Sequence, residues 1–191
     1  MKGVVLLKQI YTLILGLFIT CYIGVSPSQA SEKHETEEKH DHEKRQLESH
    51  EHGVSTLKIA LENQILEIEL EAPANDVVGF EHAPENKIQK EAIARALLIL
   101  KSKPGVFKLS SDANCNIENV SGEFEIEKNH AGFHIIWKLK CLNPKRIKNI
   151  ETTFFQKFPK AKEIEVEIIS NSGQKAIEWG NNSKTIKLPN L

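Results

Sequence analysis

Residues 56–72 read TLKIALENQILEIELEA, in which large aliphatic side chains alternate with polar or small ones on either side of a short polar segment. A period of two residues is typical of strands that bury one face and expose the other. The polar segment, Glu62-Asn63-Gln64, interrupts the alternation and is typical of a turn. This region therefore predicts a β-hairpin with one apolar face and one charged face.

Two helical patterns follow the hairpin. Residues 85–101 carry an apolar stripe at helical spacing, with Pro84 suited to the first turn and Pro104-Gly105 to the stop. This stripe consists of Ile88, Ala92, Ile93, Ala96, Leu97 and Leu100. A second helix is predicted to begin at Asn143-Pro144 and to end before Pro159. Its apolar stripe consists of Ile147, Ile150, Phe154 and Phe158.

Alternating runs account for most of the remaining sequence. Short strands are predicted at residues 106–109, 116–120, 124–126, 133–139, 164–168, 175–179 and 184–188. The order of elements predicts one α+β domain over residues 53–191, mainly antiparallel sheet with two packed helices.

The first 30 residues are organised as a removable export signal. Lys2 and Lys8 are followed by no further charge until Glu32, and the apolar run at 10–25 ends shortly before Ser28 and Ala30. A basic start, an apolar segment and small residues at the cleavage positions define such signals. A retained membrane anchor is the alternative, but the run is shorter than the roughly 20 residues that a spanning helix needs. We expect cleavage after Ala30 and export of the remainder.

Cysteine usage agrees with export. Cys115 and Cys141 are the two cysteines that follow the signal, and they do not form a CxxC pair. In an oxidising compartment this pattern predicts one disulfide. Two thiolate metal ligands are the alternative, but the sequence places no close partners beside them.

Residues 31–52 differ from everything after them. They contain eight acidic residues, four basic residues and five of the eight histidines, with Leu47 as their large aliphatic residue. Such a segment buries too little apolar surface to offset the entropy of ordering it. We expect a flexible, disordered His/acid-rich amino-terminal tail.

The histidines of this tail are spaced as metal ligands. His40 and His42, and likewise His50 and His52, form HxH pairs with an acidic residue between them, and His34 precedes both. In an extended backbone, residues two apart project to the same side about 6–7 Å apart, so both imidazoles can turn onto one ion. Neutral imidazole suits zinc, copper and nickel. The tail therefore predicts metal binding; the alternative is a solvated polar leader whose histidines bind nothing in particular.

Three further histidines lie in the predicted domain. Glu81 and His82 stand between the first hairpin and the first helix, where they either complete a metal site with the last tail histidines or act as ordinary loop residues. His134 is predicted on the polar face of a strand and His130 in a turn. Along a strand these two would be about 13 Å apart, so they share an ion only if the turn folds back.

Composition and motifs argue against two classes of function. The 25 basic and 26 acidic residues give a net charge of −1 with no broad basic surface, so nucleic acid is not an expected partner. The sequence has no nucleophile elbow, no HExxH motif and no phosphate loop, and we expect no enzymatic activity.

Several landmarks of the chain occur together in a familiar order. His50-Glu51-His52-Gly53 leads into the first strand, residues 66–75 read LEIELEAPAN and residues 79–84 read GFEHAP. Cys115, Cys141 and Gly173-Gln174 follow. Over residues 50–190 this combination resembles the zinc-regulated, ZrgA-like periplasmic proteins of Gram-negative bacteria.

The resemblance implies a periplasmic protein that binds zinc and holds or delivers it for an uptake system, with a zinc transporter of the inner membrane as partner. It also favours His52 and His82 as ligands. The chain departs from the family in the stretch between its cysteines, where a long His/Asp-rich insertion is replaced by a segment holding His130 and His134. Two other functions stay open: a non-catalytic periplasmic interaction module with the tail as a tether, and a copper- or nickel-binding resistance protein.

Overall fold

The structure, a computed structural model, describes residues 52–102, 105–127 and 130–189. The predicted signal peptide and the predicted tail up to Glu51 lie outside these residues, as do the candidate ligands His34, His40, His42 and His50. What the sequence predicts for them stays a prediction. Within the described ranges, no helix has both the length and the apolar character needed to cross a bilayer.

The described residues form nine strands and three α-helices. The strands are β1 (Val54–Glu62), β2 (Ile65–Pro73), β3 (Phe107–Leu109), β4 (Cys115–Glu127), β5 (His130–Cys141), β6 (Asn149–Thr152), β7 (Glu163–Ser170), β8 (Gly173–Gly180) and β9 (Thr185–Lys187). The helices are α1 (Ala74–Val77), α2 (Lys87–Leu100) and α3 (Phe154–Lys157).

Six strands form one sheet in the order β4-β5-β2-β1-β7-β8, and a smaller sheet has the order β3-β6-β9. Neighbouring strands are antiparallel except β1 and β7, which run parallel. The predicted hairpin is β1–β2, with Leu57 opposite Leu70 and Ile59 opposite Ile68. The α+β class with a mainly antiparallel sheet is therefore confirmed, and the parallel β1–β7 pair is a feature that sequence pattern did not predict.

The hydrophobic core lies against one face of the larger sheet. Leu57, Leu70 and Ile135 are fully buried on that face, and buried side chains of α2 and the smaller sheet belong to the same apolar cluster. The ring of Phe107 contacts Trp137 edge to face, with 5.7 Å between the ring centroids. The opposite face carries the outward residues of each strand, so glutamates, lysines and a histidine gather there.

Helix α2 confirms most of its predicted stripe but begins later than expected. Asn86 caps it, because its side-chain oxygen accepts a hydrogen bond from the Gln89 backbone N at 3.0 Å. Pro84 lies before the helix rather than in its first turn. Ile88 belongs to the predicted stripe but is 74% exposed. The buried positions of the helix are Ile93, Ala96 and Leu100.

The second helix differs from its prediction. Residues 143–158 form a 3-10 turn at Pro144–Arg146, then β6, and only then the four-residue α3. The residues of the predicted stripe, Ile147, Ile150, Phe154 and Phe158, are nevertheless buried. A strand followed by a tight turn satisfies the same apolar spacing, and the β-branched Ile150 and Thr152 favour the extended form.

The predicted disulfide is present. Cys115 and Cys141 lie directly opposite each other in β4 and β5 and are bonded. The bond joins the two strands at the end of the hairpin farthest from its turn, so neither sulfur is a free thiolate ligand.

We expect that replacing both cysteines, Cys115→Ala with Cys141→Ala, lowers the free energy of unfolding by about 3–4 kcal/mol, because the open chain regains the entropy of the loop. Urea denaturation of the mature chain under non-reducing conditions measures the change. Reduced wild-type protein should lose a similar amount, whereas reductant should leave the double variant unaffected. A double variant as stable as the oxidised wild type would contradict the expectation.

Candidate metal centres

Histidine meets carboxylate at three places in the described residues, and at two of them several polar side chains come together. We call the first the amino-terminal cluster: His52, Asn75, Asp76 and Glu81, where β1 begins and α1 follows β2. We call the second the sheet-face cluster: Glu69, Glu71, Glu125 and His134 on the polar face of the larger sheet. The two clusters share no residue.

A buried carboxylate organises the amino-terminal cluster. Helix α1 starts directly after β2, which places Asp76 beside the start of β1. The Asp76 side chain is 4% exposed and accepts a hydrogen bond from the Gly53 backbone N at 2.8 Å. Burial raises the pKa of Asp76, an effect that the bond from Gly53 and the neighbouring His52 only partly offset. Gly53 has φ +93°, a conformation that glycine adopts readily, and its bond to Asp76 ties the turn that carries His52 to helix α1.

His52 is held by one ring nitrogen and faces a carboxylate with the other. The Asn75 side-chain Nδ2 donates to His52 Nδ1 at 3.0 Å. His52 Nε2 lies 3.4 Å from Glu81 Oε2, with the imidazole exposed and the carboxylate half-buried. Rotation of the Asn75 amide would present its oxygen instead, so Asn75 can support either tautomer of the ring. Nε2 and the Glu81 carboxylate are the two metal-ligand groups that converge here.

His82 is not part of this convergence. Its Nδ1 donates to the Ala83 carbonyl oxygen at 2.8 Å and lies 3.8 Å from the Glu85 carboxylate. Its ring also rests against Phe80, with 5.2 Å between the ring centroids. Glu81 and His82 are adjacent in sequence, but the structure joins Glu81 to His52 and leaves His82 with its own loop.

The sheet-face cluster is produced by strand register. His134 on β5 lies opposite Glu71 on β2 and opposite Glu123 on β4. His134 Nε2 lies 2.6 Å from Glu69 Oε1, and its Nδ1 lies 3.2 Å from Glu125 Oε1. One ligand atom each from Glu69, Glu71 and His134 lie within 4.8 Å of one another. Strands β5 and β2 therefore bring three ligand-type side chains to one point, and β4 adds Glu125 at the other nitrogen of His134.

The carboxylates of the sheet-face cluster stabilise positive charge on the neighbouring side chains. Partial burial lowers the pKa of His134, but hydrogen bonds to Glu69 and Glu125 outweigh it and raise that pKa above its ordinary value. Lys58 of β1 donates to Glu71 Oε1 at 2.9 Å, and this bond raises the pKa of Lys58 against a smaller effect of burial. Both cationic groups are thus stabilised by the carboxylates around them.

His134 and His130 both lie on β5. His134 is on the polar face of the strand, as predicted, but it is half-buried between two glutamates rather than fully exposed. His130 is the first residue of β5 rather than part of a turn, and it is exposed. Among the described residues, the one group of three or more converging ligand atoms includes His134 but neither His130, His52 nor His82.

Sequence reasoning missed the glutamates of the sheet-face cluster. Glu69 and Glu71 alternate with buried residues and therefore resembled a solvated strand face. The signal that identifies them is the pairing of β2 with β5, which puts Glu71 opposite His134, and this register is not visible in a single strand.

We expect Asp76→Ala to lower the free energy of unfolding by about 1–3 kcal/mol, because the buried Gly53 N–H loses its acceptor. Asp76→Asn keeps an oxygen at the same position and should lose much less. Urea denaturation of both variants beside wild type measures the difference. Equal stability of the alanine and asparagine variants would show that the bond to Gly53 does not hold this corner.

Comparison with known proteins bears on both clusters. No curated protein matches the chain. A family model described as "ZrgA family zinc uptake protein" matches residues 49–188, a range that starts just before His52 and includes every residue of the two clusters. The match spans most of the chain and confirms the resemblance seen in the sequence motifs. The protein belongs to the ZrgA family of zinc uptake proteins.

Proposed function

We propose that the protein is an exported, non-catalytic zinc-binding protein that holds zinc in the periplasm and delivers it to an uptake system. The observation that supports this most directly is the 3.4 Å approach of His52 Nε2 to the Glu81 carboxylate. Imidazole nitrogen and carboxylate oxygen are standard zinc ligands. The membership in a zinc uptake family makes zinc the metal of interest.

The surroundings of His52 suit a site that loads and releases its ion. Asn75 orients the ring from its far nitrogen, as partners outside the coordination sphere do for metal-bound histidines. His52 is exposed, so zinc reaches Nε2 from solvent without rearrangement of the core. A site with two ligands from the folded domain leaves positions for other donors, whereas structural zinc sites close all four.

The sequence supplies an additional donor beside this pair. His50 precedes His52 by two residues in the HxH pattern, and His34, His40 and His42 lie earlier in the predicted tail. We propose that the tail collects ions and that His52 with Glu81 anchors one of them on the domain. The resemblance also favoured His82, but the contacts of its ring with Ala83 and Phe80 direct it away from this role.

Zinc titration of selected variants tests the anchor. In a mature protein carrying His34→Gln, His40→Gln and His42→Gln, we expect Glu81→Gln or His52→Ala to weaken zinc binding by about tenfold or more, because each removes a proposed ligand. Isothermal titration calorimetry at neutral pH measures the affinity. Acidification to pH 5 should release the ion, since protons compete for imidazole nitrogen.

The matched control for Glu81→Gln is Glu85→Gln, the same chemical change in the same loop beside His82. It should leave the affinity unchanged. Indistinguishable affinities for the two glutamine variants would remove Glu81 from the site, and a wild-type mature protein that takes up no zinc would end the proposal. Displacement of zinc by nickel at equal concentration would favour the nickel-resistance alternative.

Delivery to an uptake system is tested in cells. In a strain lacking the gene, grown under zinc limitation, we expect wild-type protein and Glu85→Gln to restore zinc accumulation and Glu81→Gln to fail. Elemental analysis of washed cells measures the zinc. The interaction-module alternative makes the opposite prediction, because a protein that acts without binding zinc would remain equally active when Glu81 loses its carboxylate.

A further inference from the structure

We propose that Glu69, Glu71 and His134 form a second site for a divalent transition metal, on the open polar face of the larger sheet. The site shares no residue with the amino-terminal cluster, so it goes beyond zinc binding at His52 and does not depend on it. Neither the sequence motifs nor the family description assigns it.

The donor atoms already stand close to the spacing that a metal requires. Two ligands on zinc at bond lengths of about 2.0–2.1 Å and a tetrahedral angle are roughly 3.3 Å apart. One atom each from Glu69, Glu71 and His134 lie within 4.8 Å of one another without any ion between them. Small side-chain rotations close this gap, because all three residues project from the same face of paired strands.

Glu125 gives the imidazole the orientation of a metal ligand. Its carboxylate lies 3.2 Å from His134 Nδ1, on the side of the ring away from Glu69. A carboxylate that accepts the Nδ1 hydrogen leaves the Nε2 lone pair for an ion, which is the arrangement found around metal-bound histidines. A histidine that served only as a surface counter-ion would need one carboxylate, whereas His134 has one at each nitrogen.

The local charge also matches a divalent ion. Glu69, Glu71 and Glu125 are three carboxylates in direct contact with one ammonium group, that of Lys58, and with one imidazole. When the imidazole is neutral, two negative charges are left over. The side chains are half-buried, so solvent screens this excess less than it would on a fully exposed surface.

A proton and the ammonium group of Lys58 neutralise the proposed ligand atoms. The 2.6 Å contact between His134 Nε2 and Glu69 is a hydrogen bond that needs a proton between the two atoms, and Lys58 occupies Glu71. An incoming metal replaces that proton and competes with the ammonium. Two neighbouring groups on this face, Glu123 opposite His134 and Glu167 opposite Lys58, are acidic and attract a cation further, whereas the basic Lys138 lies opposite Glu67.

The backbone holds these ligands in place. Glu69 and Glu71 lie on β2, which is paired on both sides, and His134 lies on β5, which is also paired on both sides. Sites built on such strands keep their geometry better than sites on loops. This distinguishes the sheet-face cluster from His52, whose ring lies at the exposed start of a strand.

Nitrogen NMR of the histidine side chains tests the site in the full mature protein. The resonance of His134 is assigned by its loss in His134→Gln, and apo protein is titrated with zinc sulfate at neutral pH. We expect the His134 Nε2 signal to shift with zinc. Glu69→Gln combined with Glu71→Gln should weaken that response by about tenfold or more, because the two carboxylate ligands are lost.

Two further variants make the test specific. Glu67→Gln is the matched control, since Glu67 lies on the same strand and face but opposite Lys138; its titration should equal that of wild type. Lys58→Gln removes the competing ammonium and should tighten the response by about two- to fivefold, the range expected for losing one surface ion pair. A gain of affinity also guards against variants that merely unfold.

The inference is overturned if saturating zinc leaves the His134 resonance unmoved, if the Glu69/Glu71 double variant titrates like Glu67→Gln, or if Lys58→Gln shows no gain. The same titration in Glu81→Gln separates the two sites. A His134 shift that persists in this variant supports a second site whether or not the anchor at His52 binds zinc.

Discussion

The pairing of β2 with its two neighbours is the constraint on which both the core and the candidate chemistry depend. Leu66 and Leu70 of β2 are fully buried between β1 and β5, while the glutamates between them face outward. A slip of one residue in this pairing would expose the leucines and bury the glutamates. Because that would cost much of the free energy of burial, the register is strongly specified. The same register puts Glu71 opposite His134. Folding of the core thus sets the positions of the polar groups on the other face.

The sequence predicted those parts of the fold that a local pattern encodes. Alternation over residues 56–72 predicted the β1–β2 hairpin, and the two cysteines of an exported chain predicted the disulfide. The predictions failed where one sequence pattern is compatible with two kinds of secondary structure. Ile147 and Ile150 have a spacing that fits a helix, but in the fold Ile150 pairs with Leu109 and Ile186 in the smaller sheet. The parallel pairing of β1 with β7 joins segments far apart in sequence, and no local signal announces it.

The candidate metal ligands likewise divide into those that the sequence predicts and those that only the fold reveals. His52 and Glu81 both belong to motifs that the sequence singled out, and the structure brings their side chains together. The family resemblance favoured His82 as a ligand too, but the hydrogen bond of its ring to Ala83 is a property of the loop conformation. Glu69 and Glu71 carried no signal at all, because an outward glutamate on a strand is usually solvated. Only tertiary pairing shows that His134 stands across from Glu71 and contacts Glu69.

The alternation of side chains along β2 has a consequence for how the protein can change over evolutionary time. Its inward residues determine whether the chain folds, and its outward residues contribute little to the core, so substitutions on the two faces are subject to separate selection. Exchange of an outward glutamate for another polar residue would change the charge of this face while the fold persists. A strand of this kind lets a lineage vary the electrostatics of one surface without risking the scaffold.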